Sequence, residues 1–245
     1  MRIDVLTLFP ELFDIFEKWS IVGRTIEKGI FSLNTVDIRD FSEDKHRRVD
    51  DYPFGGGPGM VMRPEPIYRA ISNVKSEESK VIYLSPQGKT YNQRLANSLS
   101  KESHLILLCG HYEGIDNRII DNYVDLEISL GDYVLTGGEI PAMVLIESII
   151  RLLPGALSGE ESYVDESHYN GLLEYPQYTR PREFNGFHVP EILLSGDHKK
   201  IEKWKEYKSL ETTYIKRPDL LEKRNLTKME MEMLEKIREE IKKKY

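Results

Sequence analysis

The residues best placed to do chemistry in this sequence lie in a glycine-rich segment, residues 129–141. It reads Ser-Leu-Gly-Asp-Tyr-Val-Leu-Thr-Gly-Gly-Glu-Ile-Pro, with glycine at positions 131, 137 and 138. Glycine costs backbone entropy on folding, and it is used where the chain needs a positive φ angle or where a ligand approaches the backbone closely. Pro141 suits the first turn of a helix, because its missing N–H would be unpaired there. The segment therefore predicts a ligand-binding loop between a strand and a helix.

Two further apolar runs end in glycine and polar residues. Residues 81–84 run into Ser-Pro-Gln-Gly at 85–88, and residues 105–109 run into Gly-His-Tyr-Glu-Gly at 110–114. In open α/β sheets, ligands lie beyond the carboxyl ends of the strands, so the three loops are expected to line one pocket. The alternative, three ordinary turns between strands and helices, stays open on spacing alone.

A fourth segment, residues 44–60, combines both signs of charge with a run of glycines. Its basic side chains, including His46, could hold phosphates, and Asp50 could contact base edges or catalytic groups. The segment is neither a Walker phosphate loop nor a Gly-x-Gly-x-x-Gly dinucleotide fingerprint. A surface loop with solvated charges is the alternative interpretation.

Several single residues are also candidates for chemistry. Glu113 stands near glycines at the end of a predicted strand, where a carboxylate can face a pocket. Arg151 lies late in a predicted helix, so it either interacts with the helix dipole or directs a fixed guanidinium at a carbonyl or phosphate. Asp165 and Glu166 fall on a polar stretch between predicted domains, where they could act on a bound substrate or simply be solvated.

The elements that position these residues predict an α/β fold. Strands are predicted at residues 3–9, 33–38, 81–84, 105–109 and 123–128. Helical spacing is found from about residue 11 and at residues 66–74, 93–99 and 140–153. Strands that alternate with helices indicate a predominantly parallel sheet with helices on both faces.

The chain changes character after residue 157. Residues 158–173 are polar and are predicted to link a first domain, residues 1–157, to a small helical domain, residues 174–245. Helices are predicted in the latter at residues 190–194, 199–213 and 227–244. Thr227 and Glu230 form a capping-box pattern at the start of the last of these.

Composition is that of an ordinary globular protein of 245 residues, 40% hydrophobic and 31% charged. No apolar run reaches the ~20 residues of a membrane span and no secretory signal is recognisable, so a cytoplasmic location is expected. Cys109, the only cysteine, excludes an internal disulfide and a thiolate-rich metal site.

The net charge of −7 is unevenly distributed, since residues 174–245 carry 17 Lys and Arg against 14 Asp and Glu. A mildly basic C-terminal third is compatible with contact to nucleic acid.

Taken together, four motifs resemble one family over nearly the whole chain. They are residues 83–88, 110–116, 131–139 and 175–181, and in this order they look like the bacterial tRNA (guanine-N1)-methyltransferases of the SPOUT superfamily. The resemblance implies methyl transfer from S-adenosylmethionine to N1 of guanosine 37, which is 3′ of the tRNA anticodon. It also implies a trefoil knot in the first domain and a homodimer whose active sites are shared between the chains.

The resemblance further implies which residues form the sites. Those expected to hold S-adenosylmethionine are Tyr83, Leu84, Pro86, Gly110, Gly114, Leu130, Gly131, Asp132, Tyr133, Val134, Leu135, Gly137 and Gly138. Those expected to contact the tRNA substrate are His46, Asp50, Gly59 and Arg180.

Guanine N1 carries a proton at neutral pH, so a carboxylate base must remove it. Alignment within the family places Glu166 where an aspartate is usual; Asp165, one residue earlier, is the alternative base. Arg151 would stabilise charge on guanine O6. Glu113, and with it Glu166, would lie near a magnesium ion.

A second departure from the family is Gln177, which stands where similar sequences often carry histidine. Two other functions stay open. One is a SPOUT methyltransferase that acts on another RNA position, and the other is a non-catalytic RNA-binding protein that retains the fold.

Overall fold

The structure is a computed structural model that describes residues 1–157 and 166–244. The chain divides into two compact units, Met1–Glu160 and Glu161–Tyr245, called here the N-terminal and C-terminal units. The division falls among residues 158–165, which lie outside the described residues. The predicted linker, residues 158–173, therefore stays a prediction.

The N-terminal unit alternates strands with helices. Its strands are β1 Arg2–Thr7, β2 Ser32–Asp37, β3 Asp50–Asp51, β4 Val61–Met62, β5 Ser79–Thr90, β6 His104–Cys109 and β7 Leu126–Ser129. Its helices are α1 Glu11–Phe16, α2 Ser20–Glu27, α3 Pro64–Val74, α4 Gln93–Leu99, α5 Asn117–Tyr123 and α6 Glu139–Ile150, with a 3₁₀ turn at Ile38–Phe41.

Five strands form one parallel sheet in the order β2-β1-β6-β5-β7. Alternate residues of β6 pack on opposite faces, Leu105 and Leu107 against the side that carries α1, α2, α4 and α6, and Ile106 and Leu108 against α3 and α5. A strand covered on both faces reads as a continuous apolar run, as residues 105–109 do. The predicted parallel sheet with helices on both faces is confirmed.

The largest difference from the predicted elements lies before β7. The strand predicted at residues 123–128 begins only at Leu126, and residues 117–123 form α5. Asp116 starts this helix by accepting a hydrogen bond from Arg118 N at 2.9 Å, while the Asp125 carboxylate accepts one from Val81 N at 2.7 Å. The Asp116 side chain thus begins α5, and the Asp125 side chain joins the start of β7 to β5, neither of which the apolar pattern reveals.

The end of β7 has an unusual pairing. Ile128 is the parallel partner of both Leu84 and Lys89, two residues of the same strand β5. Each side of β7 can hold one hydrogen-bonded neighbour strand. Leu84 and Lys89 therefore lie on opposite sides of β7 at Ile128, and residues 85–88 connect the two sides. Gly88 lies at this crossing, where a β-carbon would come 2.5 Å from the backbone of Glu127. This passage frames one end of the site described below.

The C-terminal unit is mainly helical. Its helices are α7 Glu191–Leu194, α8 His198–Lys216, α9 Pro218–Glu222 and α10 Lys228–Lys244, and strands β8 Glu183–Phe184 and β9 Phe187–His188 form a short antiparallel hairpin. The hairpin differs from the all-helical prediction because an Asn-Gly turn, with φ of 52° and 81°, joins its strands. The predicted capping box is confirmed: Thr227 N donates to Glu230 at 2.7 Å, and Glu230 N donates to Thr227 Oγ1 at 3.2 Å.

Candidate active site

The carboxyl ends of β6 and β7, and the part of β5 where its pairing with β7 shifts register, surround a cavity of about 330 Å³. Most of its lining comes from the three segments that the sequence singles out, residues 83–87, 110–115 and 128–137 without Asp132. Parallel strands place these ends at one edge of the sheet, which is where α/β proteins bind ligands. The predicted convergence of the loops is confirmed.

Most of the residues expected to bind a cofactor line this cavity. The eleven that do are Tyr83, Leu84, Pro86, Gly110, Gly114, Leu130, Gly131, Tyr133, Val134, Leu135 and Gly137. Asp132 and Gly138 are not part of the lining. Gly138 has a packing role instead, because a β-carbon there would come 2.7 Å from Cys109 Cα.

Other lining residues were missed by sequence reasoning. They include Ser85, Gln87, His111, Tyr112, Asn117, Ile120 and Thr136. Five of them lie within the glycine-containing motifs quoted above, so membership of these loops was the signal that could have found them. Asn117 and Ile120 belong to α5, the helix that the apolar pattern concealed.

Tyr83 closes one side of the cavity against the loop after β6. A β-carbon at Gly110 would come 2.8 Å from its ring, so glycine is required for the approach of backbone to ring. Tyr83 is 5% exposed, and burial, assisted by the charge of Glu127, raises the pKa of its phenol to about 12. The cavity wall therefore carries a neutral phenol that can donate a hydrogen bond throughout the physiological range.

Glu113 lies where the cavity meets the glycine-rich segment before β4. Its N–H donates to Met60 O at 3.0 Å, and Met62 N donates to Gly114 O at 2.9 Å. Gly59, at φ +89°, would with a β-carbon come 2.8 Å from Glu113 Cδ. The structure thus brings together Gly59 and Glu113, which the sequence placed in separate sites.

Asp50 lies close to Tyr112, in the same region. It is in β3 opposite Met62, and burial first, and the charge of Asp50 next, raise the pKa of the Tyr112 hydroxyl. Tyr112 itself has φ +61°, a strained value for a residue other than glycine, of the kind found at functional sites. His46 is exposed in the loop before β3 and does not line the cavity.

The remaining predicted residues are Arg151 in the N-terminal unit, which is not part of the lining, and two residues of the C-terminal unit. Arg151 is the residue after α6, and its N–H donates to Glu147 O at 3.3 Å. Glu166 and Arg180 belong to the C-terminal unit, where Glu166 O accepts from Tyr169 N at 3.3 Å and Arg180 is exposed. Asp165, the alternative base, lies outside the described residues.

Cys109 is a core residue. It is fully buried at the end of β6, and burial, with the nearby charge of Glu139, raises the pKa of its thiol. A thiol held protonated is a poor nucleophile.

Among residues 1–157 and 166–244, no three His, Cys, Asp or Glu side chains come together in a group that could hold a metal ion. The magnesium expected beside Glu113 and Glu166 stays a prediction. Nor is any helix in these ranges both long and apolar enough to cross a membrane.

Comparison with known proteins gives concordant matches. A sequence model of the family described as tRNA (Guanine-1)-methyltransferase TrmD matches residues 1–223. The tRNA (guanine-N(1)-)-methyltransferase of Ruminiclostridium cellulolyticum is 61% identical over 226 residues, 91% of this chain and 97% of the relative. The protein of that name from Dictyoglomus turgidum is 53% identical over 241 residues, 98% of each chain. That of Clostridium botulinum strain Langeland is 59% identical over 235 residues, 96% of this chain and 97% of the relative.

Proposed function

The chain belongs to the tRNA (Guanine-1)-methyltransferase family and is an enzyme that methylates N1 of a guanine in tRNA, and we propose that it uses S-adenosylmethionine to methylate guanosine 37, 3′ of the anticodon. The cavity formed by the three glycine-containing loops is the observation that carries this proposal. Because tRNA is the substrate, the proposed location is the cytoplasm.

The residues around the cavity suit S-adenosylmethionine. Its volume of about 330 Å³ is in the range of small-molecule sites. Leu84, Val134 and Leu135 provide apolar surface for an adenine ring, and the glycine backbones at 110, 114 and 137 leave room and hydrogen-bonding groups for the ribose and the amino acid part. When bound, S-adenosylmethionine supplies an electrophilic methyl group on a sulfonium centre.

The protein must make guanine N1 nucleophilic and align it with the methyl group. In the proposed mechanism the Glu166 carboxylate takes the N1 proton, with Asp165 as the alternative base. Arg151 stabilises the negative charge that then develops on guanine O6. Glu113, which lies at the cavity against Gly59, positions the guanine. No step is assigned to a metal ion.

Contact with the tRNA is proposed for two regions. In the N-terminal unit Asp50, whose charge acts on the Tyr112 hydroxyl at the cavity, is suited to a base edge, and exposed His46 to a phosphate. In the C-terminal unit exposed Arg180 is suited to a phosphate. The C-terminal unit is proposed to bind tRNA through such contacts.

A knot and a homodimer are also part of the proposal. The crossing of residues 85–88 over β7, inferred from the two partners of Ile128, supports a knotted path around the cavity. Exposed apolar side chains on α6 support a dimer: Ile140 is 61% and Val144 42% exposed, one turn apart. Apolar side chains grouped in this way mark interaction surfaces, and a second copy of the chain is the partner proposed here.

The test is transfer of labelled methyl from S-adenosylmethionine to two tRNA transcripts, one with guanosine and one with adenosine at position 37. Nucleoside analysis should show N1-methylguanosine from the first transcript alone. N1-methylguanosine from both would mean that another guanosine is the target. No N1-methylguanosine from either would overturn the choice of methyl donor or of position.

A further inference from the structure

Glu139 is a buried carboxylate that the proposed mechanism does not use. Its side chain is 5% exposed, and it is the first residue of α6. Thr7 Oγ1 donates to one carboxylate oxygen at 2.6 Å, and His111 Nε2 lies 2.8 Å from the other. Because a carboxylate only accepts, the imidazole carries a proton on Nε2. These two donors and the positive end of the helix dipole offset the cost of burying the charge.

The three residues come from three strand ends. Thr7 ends β1, His111 lies in the loop after β6, and Glu139 follows the turn that connects β7 to α6. Thr7 Oγ1 in turn accepts from Phe9 N at 2.9 Å, so the chain of hydrogen bonds is complete at that end. The His111 ring also packs on Phe9, with ring centroids 4.8 Å apart.

Backbone contacts also join the loop after β6 to the turn before α6. Gly138 N donates to Gly110 O at 3.1 Å, and His111 forms an antiparallel bridge with Gly137. A β-carbon at Gly137 would overlap the imidazole and come 2.5 Å from Glu139 Oε2, so this residue has no room for a side chain. His111 and Gly137 line the cavity, whereas Thr7 and Glu139 lie behind it.

We propose that Glu139 is a positioning residue. Through its hydrogen bonds to Thr7 and His111 it holds two walls of the cavity, residues 110–114 and 131–138, in place before the methyl donor binds. A site that is already ordered loses less conformational freedom on binding, so affinity rises without a new ligand contact. This inference rests on the proposed function, because it takes S-adenosylmethionine as the ligand. It assigns Glu139 no contact with the reacting atoms.

The test compares Thr7→Val, Thr7→Ser and Glu139→Gln. The matched control is Thr25→Val, which removes another buried hydroxyl, one that donates to Ile21 O within α2. Calorimetry gives the Kd for S-adenosylmethionine at a temperature where circular dichroism shows every variant folded. Hydrogen exchange of the unliganded protein reports opening of residues 110–114 and 131–138.

Thr7→Val and Glu139→Gln are expected to raise the Kd about tenfold. Thr7→Val leaves a buried Glu139 oxygen without its donor, and Glu139→Gln sets an amide N–H against the protonated Nε2 of His111. Both should speed exchange in the two loops, while kcat at saturating methyl donor stays near the wild-type value. Thr7→Ser should restore Kd and exchange, and Thr25→Val should change neither.

Wild-type Kd and wild-type exchange in Thr7→Val and Glu139→Gln would overturn the proposal and leave Glu139 a purely structural role. Failure of the wild-type protein to bind S-adenosylmethionine would instead overturn the proposed function. Exchange in the unliganded protein would still decide whether Glu139 fixes the loops.

Discussion

Glu113 rests directly against the backbone of Gly59, so that a β-carbon at residue 59 would come 2.5 Å from Glu113 Cγ. The hydrogen bond from Glu113 N to Met60 O holds the two segments in this register. The position of the carboxylate at the cavity therefore depends on the absence of a side chain 54 residues earlier in the chain.

Gly59→Ala is expected to reduce kcat/KM for tRNA about 100-fold, because displacement of a catalytic group by about 1 Å has effects of that size. Single-turnover methylation measures it. Gly55→Ala is the control, since its φ of +88° nearly equals the +89° of Gly59 but a β-carbon there meets nothing within 4 Å. Equal losses in both variants would attribute the effect to backbone strain and contradict the role of the Gly59–Glu113 contact.

The sequence predicted the loops of this site better than their connections. Glycine at 110, 114, 131 and 137 marks where backbone must come close to something, and that requirement is local. The bond from Thr7 to Glu139 joins residues 132 positions apart, and no local pattern indicates which strand ends will be neighbours. The same holds for the two partners of Ile128, because the passage of residues 85–88 around β7 depends on the order of strands in the sheet.

The buried phenol of Tyr83 predicts a loss of stability at alkaline pH. Its pKa is about 12 in the folded chain and near 10 when unfolded. Below pH 10 both states hold the proton; from pH 10 to 12 the unfolded state releases it first, so the free energy of unfolding falls by up to about 1.4 kcal/mol per pH unit. Urea denaturation between pH 9 and 11 should show a smaller fall for Tyr83→Phe.

Tyr52→Phe is the control for this titration, because Tyr52 is 79% exposed. Its stability should follow pH as the wild-type protein does. A Tyr83→Phe variant with the wild-type pH dependence would show that other groups cause the alkaline loss.

The capping box of α10 predicts a modest loss of stability for Thr227→Ala. The substitution removes the oxygen that accepts from Glu230 N, and N-cap replacements of this kind cost about 1 kcal/mol. Urea denaturation measures the free energy of unfolding. Thr227→Ser keeps the hydroxyl and should retain most of the wild-type free energy of unfolding. Equal losses in the two variants would contradict the capping role.

Ile140→Lys is expected to convert the proposed dimer to a monomer. A lysine at this exposed position of α6 would place a charge in an apolar interface, which costs more than the contacts there return. Light scattering with size-exclusion chromatography should give a mass near 28.5 kDa instead of twice that value. Ile215→Lys on α8 changes a residue that is also 61% exposed and should leave the mass unchanged. A dimeric Ile140→Lys protein would place the interface elsewhere.

The identity of the base is decided by Glu166→Gln against Asp165→Asn. Each substitution keeps nearly the same side-chain volume and removes the ability to take a proton, so only the variant that lacks the base should lose turnover. Glu166→Gln is expected to reduce single-turnover methylation by about 100-fold or more with little change in the Kd for S-adenosylmethionine, and Asp165→Asn to stay near wild type. Arg151→Ala should resemble Glu166→Gln, because N1 loses its proton readily only while charge on O6 is stabilised. The reverse pattern, an active Glu166→Gln and an inactive Asp165→Asn, would assign proton removal to Asp165.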